Sequence, residues 1–202
     1  MSAEDTEERL HMGKVYERLD GRTREFIEKQ SVFFVATAPA DGGRVNVSPK
    51  GYADTFTVLD DTTVAYLDLD GSGIETVAHV RENGRITLMF CGFERRAVIV
   101  RLYGTGRVVT PHDDRFQELL ARFGSHPGVR SVIVVDVDRI ADSCGWGVPM
   151  MTYAEDRSTL DRWAVRQDVQ ATRAYRAQHN RTSIDGIPGL APGESDPVTV
   201  RS

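Results

Sequence analysis

A chain of 202 residues with 40% hydrophobic and 27% charged residues has enough apolar material for one core without metal or disulfide staples. A formal charge of −5 gives no positive field to attract nucleic acid or an anionic membrane. Cys91 and Cys144 are too few for a disulfide framework, and no long uncharged run is present, so the expectation is a cytoplasmic protein with a small-molecule ligand. Met1 to Leu10 is acidic and polar, unlike a secretion signal.

In chain order, Leu10, Val15 and Leu19 are loosely helical, and Phe26 and Ile27 share one side of a short helix over Thr23 to Gln30, so residues 1–30 are expected as a helical lead-in. Ser31 to Ala38 reads as a buried strand through Val32, Phe33, Phe34 and Val35; Ala40-Asp41-Gly42-Gly43 turns the chain, and Arg44 to Val47 completes a hairpin. Strands are expected at Phe56 to Leu59 and Thr63 to Leu69, joined at Asp60-Asp61. Ser72-Gly73-Ile74-Glu75 fits a capping box opening a helix over Gly73 to Glu82, and Asn83-Gly84 supplies its left-handed stop.

Arg85 to Phe93 and Ala97 to Val109 read as long strands, with Gly104 and Gly106 where a barrel strand bends or approaches another backbone. A helix over Asp113 to Phe123 leads to a strand at Val132 to Val137. Closely spaced strands with one helix inserted predict a mainly β, antiparallel barrel with flanking helices, its core over residues 31–140. Residues 141–181 are a Gly-rich loop and an amphipathic helix carrying Leu160, Trp163, Ala164, Gln167, Ala171, Ala174 and Tyr175; the Gly/Pro-rich 182–202 is expected as a flexible tail or an arm on a partner subunit.

No catalytic residue stands out, because His11, His79, His112, His126 and His179 lack metal-ligand spacing and no nucleophile sits in a recognisable elbow. His79 falls on the helix away from Ile74, Val77 and Ala78, His126 lies in a loop beside Pro127-Gly128, and Cys91 reads as core. Two features combine into a candidate anion site: Lys50, a flexible cation beside Gly51, and Ser72-Gly73, which open a helix whose first amides are unpaired. The alternative is that Ser72 caps its own helix and Lys50 is solvated; Glu75, in the first turn, also puts negative charge where a phosphate would sit.

Phe33-Phe34-Val35-Ala36-Thr37-Ala38, then Arg44-Val45-Asn46-Val47-Ser48-Pro49-Lys50-Gly51, then Tyr66-Leu67-Asp68-Leu69-Asp70-Gly71-Ser72-Gly73, then Arg85-Ile86-Thr87-Leu88-Met89-Phe90 closely resemble the pyridoxamine 5′-phosphate oxidase-related family. The resemblance spans about Phe26 to Val109 and implies an FMN-binding split barrel, homodimeric around two flavins, acting as an oxidoreductase on a small molecule. It places Asn46, Val47 and Ser48 along the flavin edge with Lys50 at the phosphate, Tyr66, Leu67 and Asp68 on the neighbouring flavin-lining strand, and Ser72 and Gly73 in the phosphate turn. Trp146, in the Gly-rich segment from Ser143 to Met150, either closes the pocket from the partner subunit or is a packed aromatic.

Two departures separate this chain from the pyridoxamine phosphate oxidases themselves. Gly73-Ile74 stands where they carry an Arg-Lys pair, and Arg176-Ala177-Gln178-His179 with the following tail does not match their substrate-binding C-terminus, which argues against vitamin B6 as substrate. Rival implications are a deazaflavin coenzyme, with Arg95, Arg96 and Arg101 as candidates for its anionic tail, a flavin- or haem-binding protein without turnover, or an empty barrel acting as a dimeric interaction module.

Overall fold

The structure, a computed structural model, describes residues 13–197. Strands β1 (Val15–Tyr16), β2 (Phe33–Thr37), β3 (Asn46–Lys50), β4 (Phe56–Val58), β5 (Thr63–Leu69), β6 (Arg85–Cys91), β7 (Val98–Val109) and β8 (Val129–Cys144) form one antiparallel sheet. Its order is β3-β2-β6-β7-β8-β5-β4, with β1 added on β8. Alternate residues of β2, β6 and β7 point inward, and the sheet curls so that β2, next to one end, packs on β4 at the other: Phe33 lies 5.4 Å from Phe56, centroid to centroid. Val35, Leu88, Phe90, Leu102, Ile133 and Ile140 fill the interior.

Among the described residues, five α-helices decorate the barrel: α1 (Gly21–Glu28), α2 (Glu75–Asn83), α3 (Phe116–Leu120), α4 (Thr159–Val165) and α5 (Val169–His179). None of the described helices is long and apolar enough to cross a membrane. Of the expected N-terminal lead-in, residues 1–12 lie outside the described residues; the remainder gives β1 and α1, the latter capped by Asp20, which accepts from Thr23 N–H.

Several boundaries differ from the sequence reading. The last strand, expected at Val132 to Val137, runs sixteen residues from Val129 to Cys144, because Asp136, Asp138 and Arg139 interrupt its apolar pattern without ending its pairing to β7. Register shifts there between Tyr103 and Gly104, leaving Asp138 as an extra residue opposite. A Cβ on Gly104 would stand 2.1 Å from the Asp136 carbonyl oxygen, whereas one on Gly106 would meet side-chain methyls, those of Val80 at 3.1 and 3.2 Å and Ile86 Cγ2 at 3.3 Å. Gly104→Ala is therefore expected to cost about 3 kcal/mol and Gly106→Ala about 1 kcal/mol, the two ends of the overpacking range, as read from urea midpoints.

The capping box also fails. Helix α2 begins at Glu75, not Gly73; its N-cap position is Ile74, with no side-chain cap, and the Glu75 carboxylate itself accepts the Ile74 N–H at 3.0 Å. Ahead of the helix Ser72 sits in an exposed bend, and the Gly71 carbonyl accepts from Asn180 Nδ2 at 2.9 Å. The stop at Gly84 stands as expected, in the left-handed conformation with φ 73°. Helix α3 keeps five of the expected eleven residues, its flanks being turns.

The single C-terminal helix is two, divided where Asp168 accepts from Ala171 N–H to cap α5. The segment expected as a loose tail or partner arm folds, as far as it is described, onto its own chain. Gly189 N–H donates to the Arg181 carbonyl and Leu190 N–H to that of Asn180, both at 2.8 Å, and Leu190 enters the barrel core. Residues 198–202 of that segment lie outside the described residues.

Candidate functional site

A cleft of about 380 Å³ opens between the end of β3 with its following turn, the β5–α2 connection and the first turn of α2. Ser48, Lys50 and Tyr52 line one wall; Leu67, Asp68, Ser72 and Gly73 line the other. Thr76 and Glu75 close one end, Leu160 of α4 reaches in from the mouth, and Arg130 of β8 forms the floor.

A bulge explains the floor. Asp68 of β5 pairs in register with Ser131 of β8 and Leu69 with Val129, so Arg130 is the extra residue between them, beside the Asp68 carboxylate, and both side chains are nearly sealed from solvent at 1% and 3% exposure. Arg130 Nε donates to Asp68 Oδ2 at 2.7 Å, Ser131 Oγ lies 3.3 Å from the same oxygen, and Lys50 Nζ stands 3.4 Å from Oδ1. Burial by itself would raise the Asp68 pKa, but the Arg130 and Lys50 charges outweigh it and hold the carboxyl below its usual range. Two cations stand against the Asp68 carboxylate; Asp70, paired with Arg176, and Glu75 line the same cleft, and the Arg130 fork is only partly used, its Nη1 making a long 3.4 Å contact to the Gly71 carbonyl.

That depressed pKa fixes a pH dependence. Asp68 contributes stability that is complete above its unfolded value of about 4 and lost as pH falls through the lower folded value. Unfolding free energy, followed by urea denaturation, should thus decline below about pH 4 in the native protein, with a shallower decline in Asp68→Asn.

Behind Asp68 a second buried pair fastens the C-terminal helix. Arg176 of α5, fully buried, donates from Nε and Nη2 to Asp70 at 2.7 and 2.9 Å and from Nη2 to the Val129 carbonyl at 3.1 Å. At the mouth, Tyr52 holds φ 63°, unusual for a residue with a side chain, stacks on His126 at 5.0 Å and donates its hydroxyl to the Arg157 carbonyl at 2.6 Å. His126 is buried against Asp54, at 2.9 Å from Nε2.

Of the residues singled out in sequence, Ser48, Lys50, Leu67, Asp68, Ser72 and Gly73 converge on this cleft. Asn46 stands one layer behind, bonded to Ser48. Val47 points outward from the edge strand β3 at 60% exposure, and Trp146 is 61% exposed beyond β8; neither lines the cleft. Tyr66 is wholly buried in the barrel core, its ring 5.5 Å from Phe33, and only backs Lys50, whose ammonium lies 5.9 Å from its centroid. Arg96 lies over the Phe26 ring and Arg101 donates to Ser143 Oγ; with Arg95, all three are away from this cleft.

His79, set apart from the apolar helix positions in sequence, is fully buried between α2 and the barrel. Sequence reading missed Arg130, Thr76 and the Asp70–Arg176 pair. Arg130-Ser131 inside the run Val129 to Val135 carried a signal, because a charged residue in a buried strand must be paired. Arg176 carried none, being one arginine among several in its helix.

Residues 19–144 match the family model described as pyridoxamine 5′-phosphate oxidase. The pyridoxamine 5′-phosphate oxidase family protein ustO of Aspergillus flavus is 40% identical over 191 residues, 87% of this chain and 77% of that protein. The chain belongs to the pyridoxamine 5′-phosphate oxidase family. Among solved structures, a protein named for pyridoxamine 5′-phosphate oxidase from Lactobacillus delbrueckii superimposes at TM-score 0.51 with 23% identity, over 62% of this chain and 94% of that one. HupZ of Group A Streptococcus aligns at TM-score 0.47 and 25% identity, over 60% of this chain and 91% of that one. The fold is accordingly the mainly antiparallel split barrel of pyridoxamine 5′-phosphate oxidase-type proteins, as the sequence resemblance implied.

Proposed function

We propose that this member of the pyridoxamine 5′-phosphate oxidase family is an oxidoreductase that binds FMN in the Ser48–Lys50/Asp68–Gly73 cleft and acts, as a homodimer, on a small organic molecule. The observation that carries this reading is the pair of cations at the cleft floor, where Lys50 and Arg130 share the buried Asp68 carboxylate beside the exposed Ser72 hydroxyl. That donor set suits a phosphate dianion: a charge-assisted fork, an ammonium and a hydroxyl within one cavity. Glu75 turns its two oxygens to the Ile74 and Ile184 amides at 3.0 and 3.2 Å, and its negative charge stays at one end of the cleft.

Bound flavin would supply hydride and electron transfer, chemistry for which no side chain of the cleft is needed as nucleophile. The chain's own part is to anchor the phosphate through Lys50, Arg130 and Ser72, to offer Ser48 and Thr76 to the ring, and to limit water at the mouth through Leu160 and Tyr52. The solvent-facing apolar residues Val47, Trp146, Met150, Met151 and Tyr153 support a second copy as the covering partner. A fluorescence titration of the purified protein with FMN tests the reading: saturation at one flavin per subunit supports it, and no quenching at any FMN concentration overturns it.

A further inference from the structure

Helix α2 lays Thr76 and His79, one turn apart, against the β2–β3 hairpin, where Thr37 and Asn46 stand opposite each other in register. A hydrogen-bond chain runs inward from the cleft. Ser48 Oγ lies 2.9 Å from Asn46 Oδ1; Asn46 Nδ2 lies 3.2 Å from Thr37 Oγ1 and 3.1 Å from Thr76 Oγ1; Thr37 Oγ1 lies 3.0 Å from His79 Nδ1. His79 ends the chain, 0% exposed, and its Nε2 has no hydrogen-bond partner among the described residues.

Counting donors and acceptors fixes the direction of this chain. The carbonyl oxygen of Asn46 can only accept, so Ser48 donates to it. The amide of Asn46 spends one proton on each threonine. Thr37, accepting from Asn46, gives its own proton to His79 Nδ1, and the imidazole carries its proton on Nε2. Reversing the chain by flipping the Asn46 amide sends one amide proton to Ser48 and leaves the other unmatched, together with the Nε2 lone pair. An unflipped Asn46 with His79 Nδ1–H donating to Thr37, whose oxygen can accept twice, leaves the Thr37 proton and the Nε2 lone pair unmatched. The forward direction leaves one unmatched group, and each of the other two arrangements leaves two.

We propose that His79 is a positioning residue that sets the polarity of the cleft wall. With its proton turned inward, Ser48 shows only lone pairs to the cleft, while Thr76, whose oxygen accepts from Asn46, keeps its hydroxyl proton for the ligand. An acceptor beside a donor complements a ligand edge that carries N–H next to C=O, which is the imide edge of a flavin ring. This assignment rests on the flavin reading for its ligand, but the direction of the chain is a property of the protein alone.

Two measurements test it separately. A long-range proton–nitrogen correlation spectrum of the ligand-free protein, with the His79 signals assigned by their loss in His79→Asn, should show Nδ1 bare and Nε2 protonated; a proton on Nδ1 would overturn the proposal whether or not flavin binds. The wild type should then prefer FMN over 3-methyl-FMN, which lacks the ring N–H, by about tenfold, the size of one hydrogen bond. His79→Leu should reduce that preference to about threefold or less, and His79→Asn, whose side-chain oxygen can accept from Thr37, should keep it. An unchanged preference in a folded His79→Leu protein would also overturn the proposal. Absence of any flavin binding to the wild type would instead overturn the flavin reading, and the nitrogen spectrum would still decide the polarity.

Discussion

Arg176→Ala will lower the unfolding free energy by about 3–5 kcal/mol, measured by urea denaturation, because it strands the Asp70 carboxylate inside the protein. Asp70 is 3% exposed and takes both of its ring-closing hydrogen bonds from the Arg176 fork. The same fork holds the Val129 carbonyl, and Nη1 holds that of Asp196, so one guanidinium ties α5, the start of β8 and the C-terminal segment together. A cost near zero would mean that the pair is open to water. The double variant Asp70→Leu/Arg176→Met should recover much of the loss, since removing both charges leaves nothing buried unpaired.

Lys50→Ala will weaken FMN by about 1.5–3 kcal/mol, roughly 10- to 150-fold, and leave riboflavin binding nearly unchanged. Lys50 is the more accessible of the two cations on Asp68, with a 21% exposed side chain, and its contact at 3.4 Å is the looser one, so its ammonium is the group free to turn to a ligand. Asp68 keeps Arg130 at 2.7 Å and Ser131 when Lys50 is removed, so the barrel should stay folded. Equal loss for FMN and riboflavin would place Lys50 against the ring rather than the phosphate.

The barrel was legible in sequence because its strands are runs of β-branched and aromatic residues bounded by turn chemistry: Thr63–Leu69 has the bounds expected, and the Phe33–Thr37 and Asn46–Lys50 hairpin lies within two or three residues of them. Local reading failed where distant partners decide. Gly71-Ser72-Gly73 looks like a helix opening, yet the helix begins at Glu75, and the Gly71 carbonyl is bound by Asn180, more than a hundred residues away. The C-terminal segment reads as loose by composition, and a single buried Leu190 with ion pairs from Arg81 to Glu194 and from Arg44 to Asp185 is enough to fasten it.

The candidate site divides the same way. Lys50, Ser72 and Gly73 are visible because a cation and a glycine-flanked turn are local features. Arg130 enters from β8, sixty-two residues after Asp68, and no spacing rule joins them. His79 was misplaced by helical periodicity, since α2 is buried on two sides, by the barrel core and by the β2–β3 hairpin.

The most direct test of the FMN cleft is a crystal structure of the protein grown with FMN. The account predicts the phosphate within hydrogen-bond reach of Lys50, Arg130 and Ser72, with the ring beside Ser48 and Thr76. Flavin seated instead in the separate groove between Phe26, Phe93 and Met151 would contradict it.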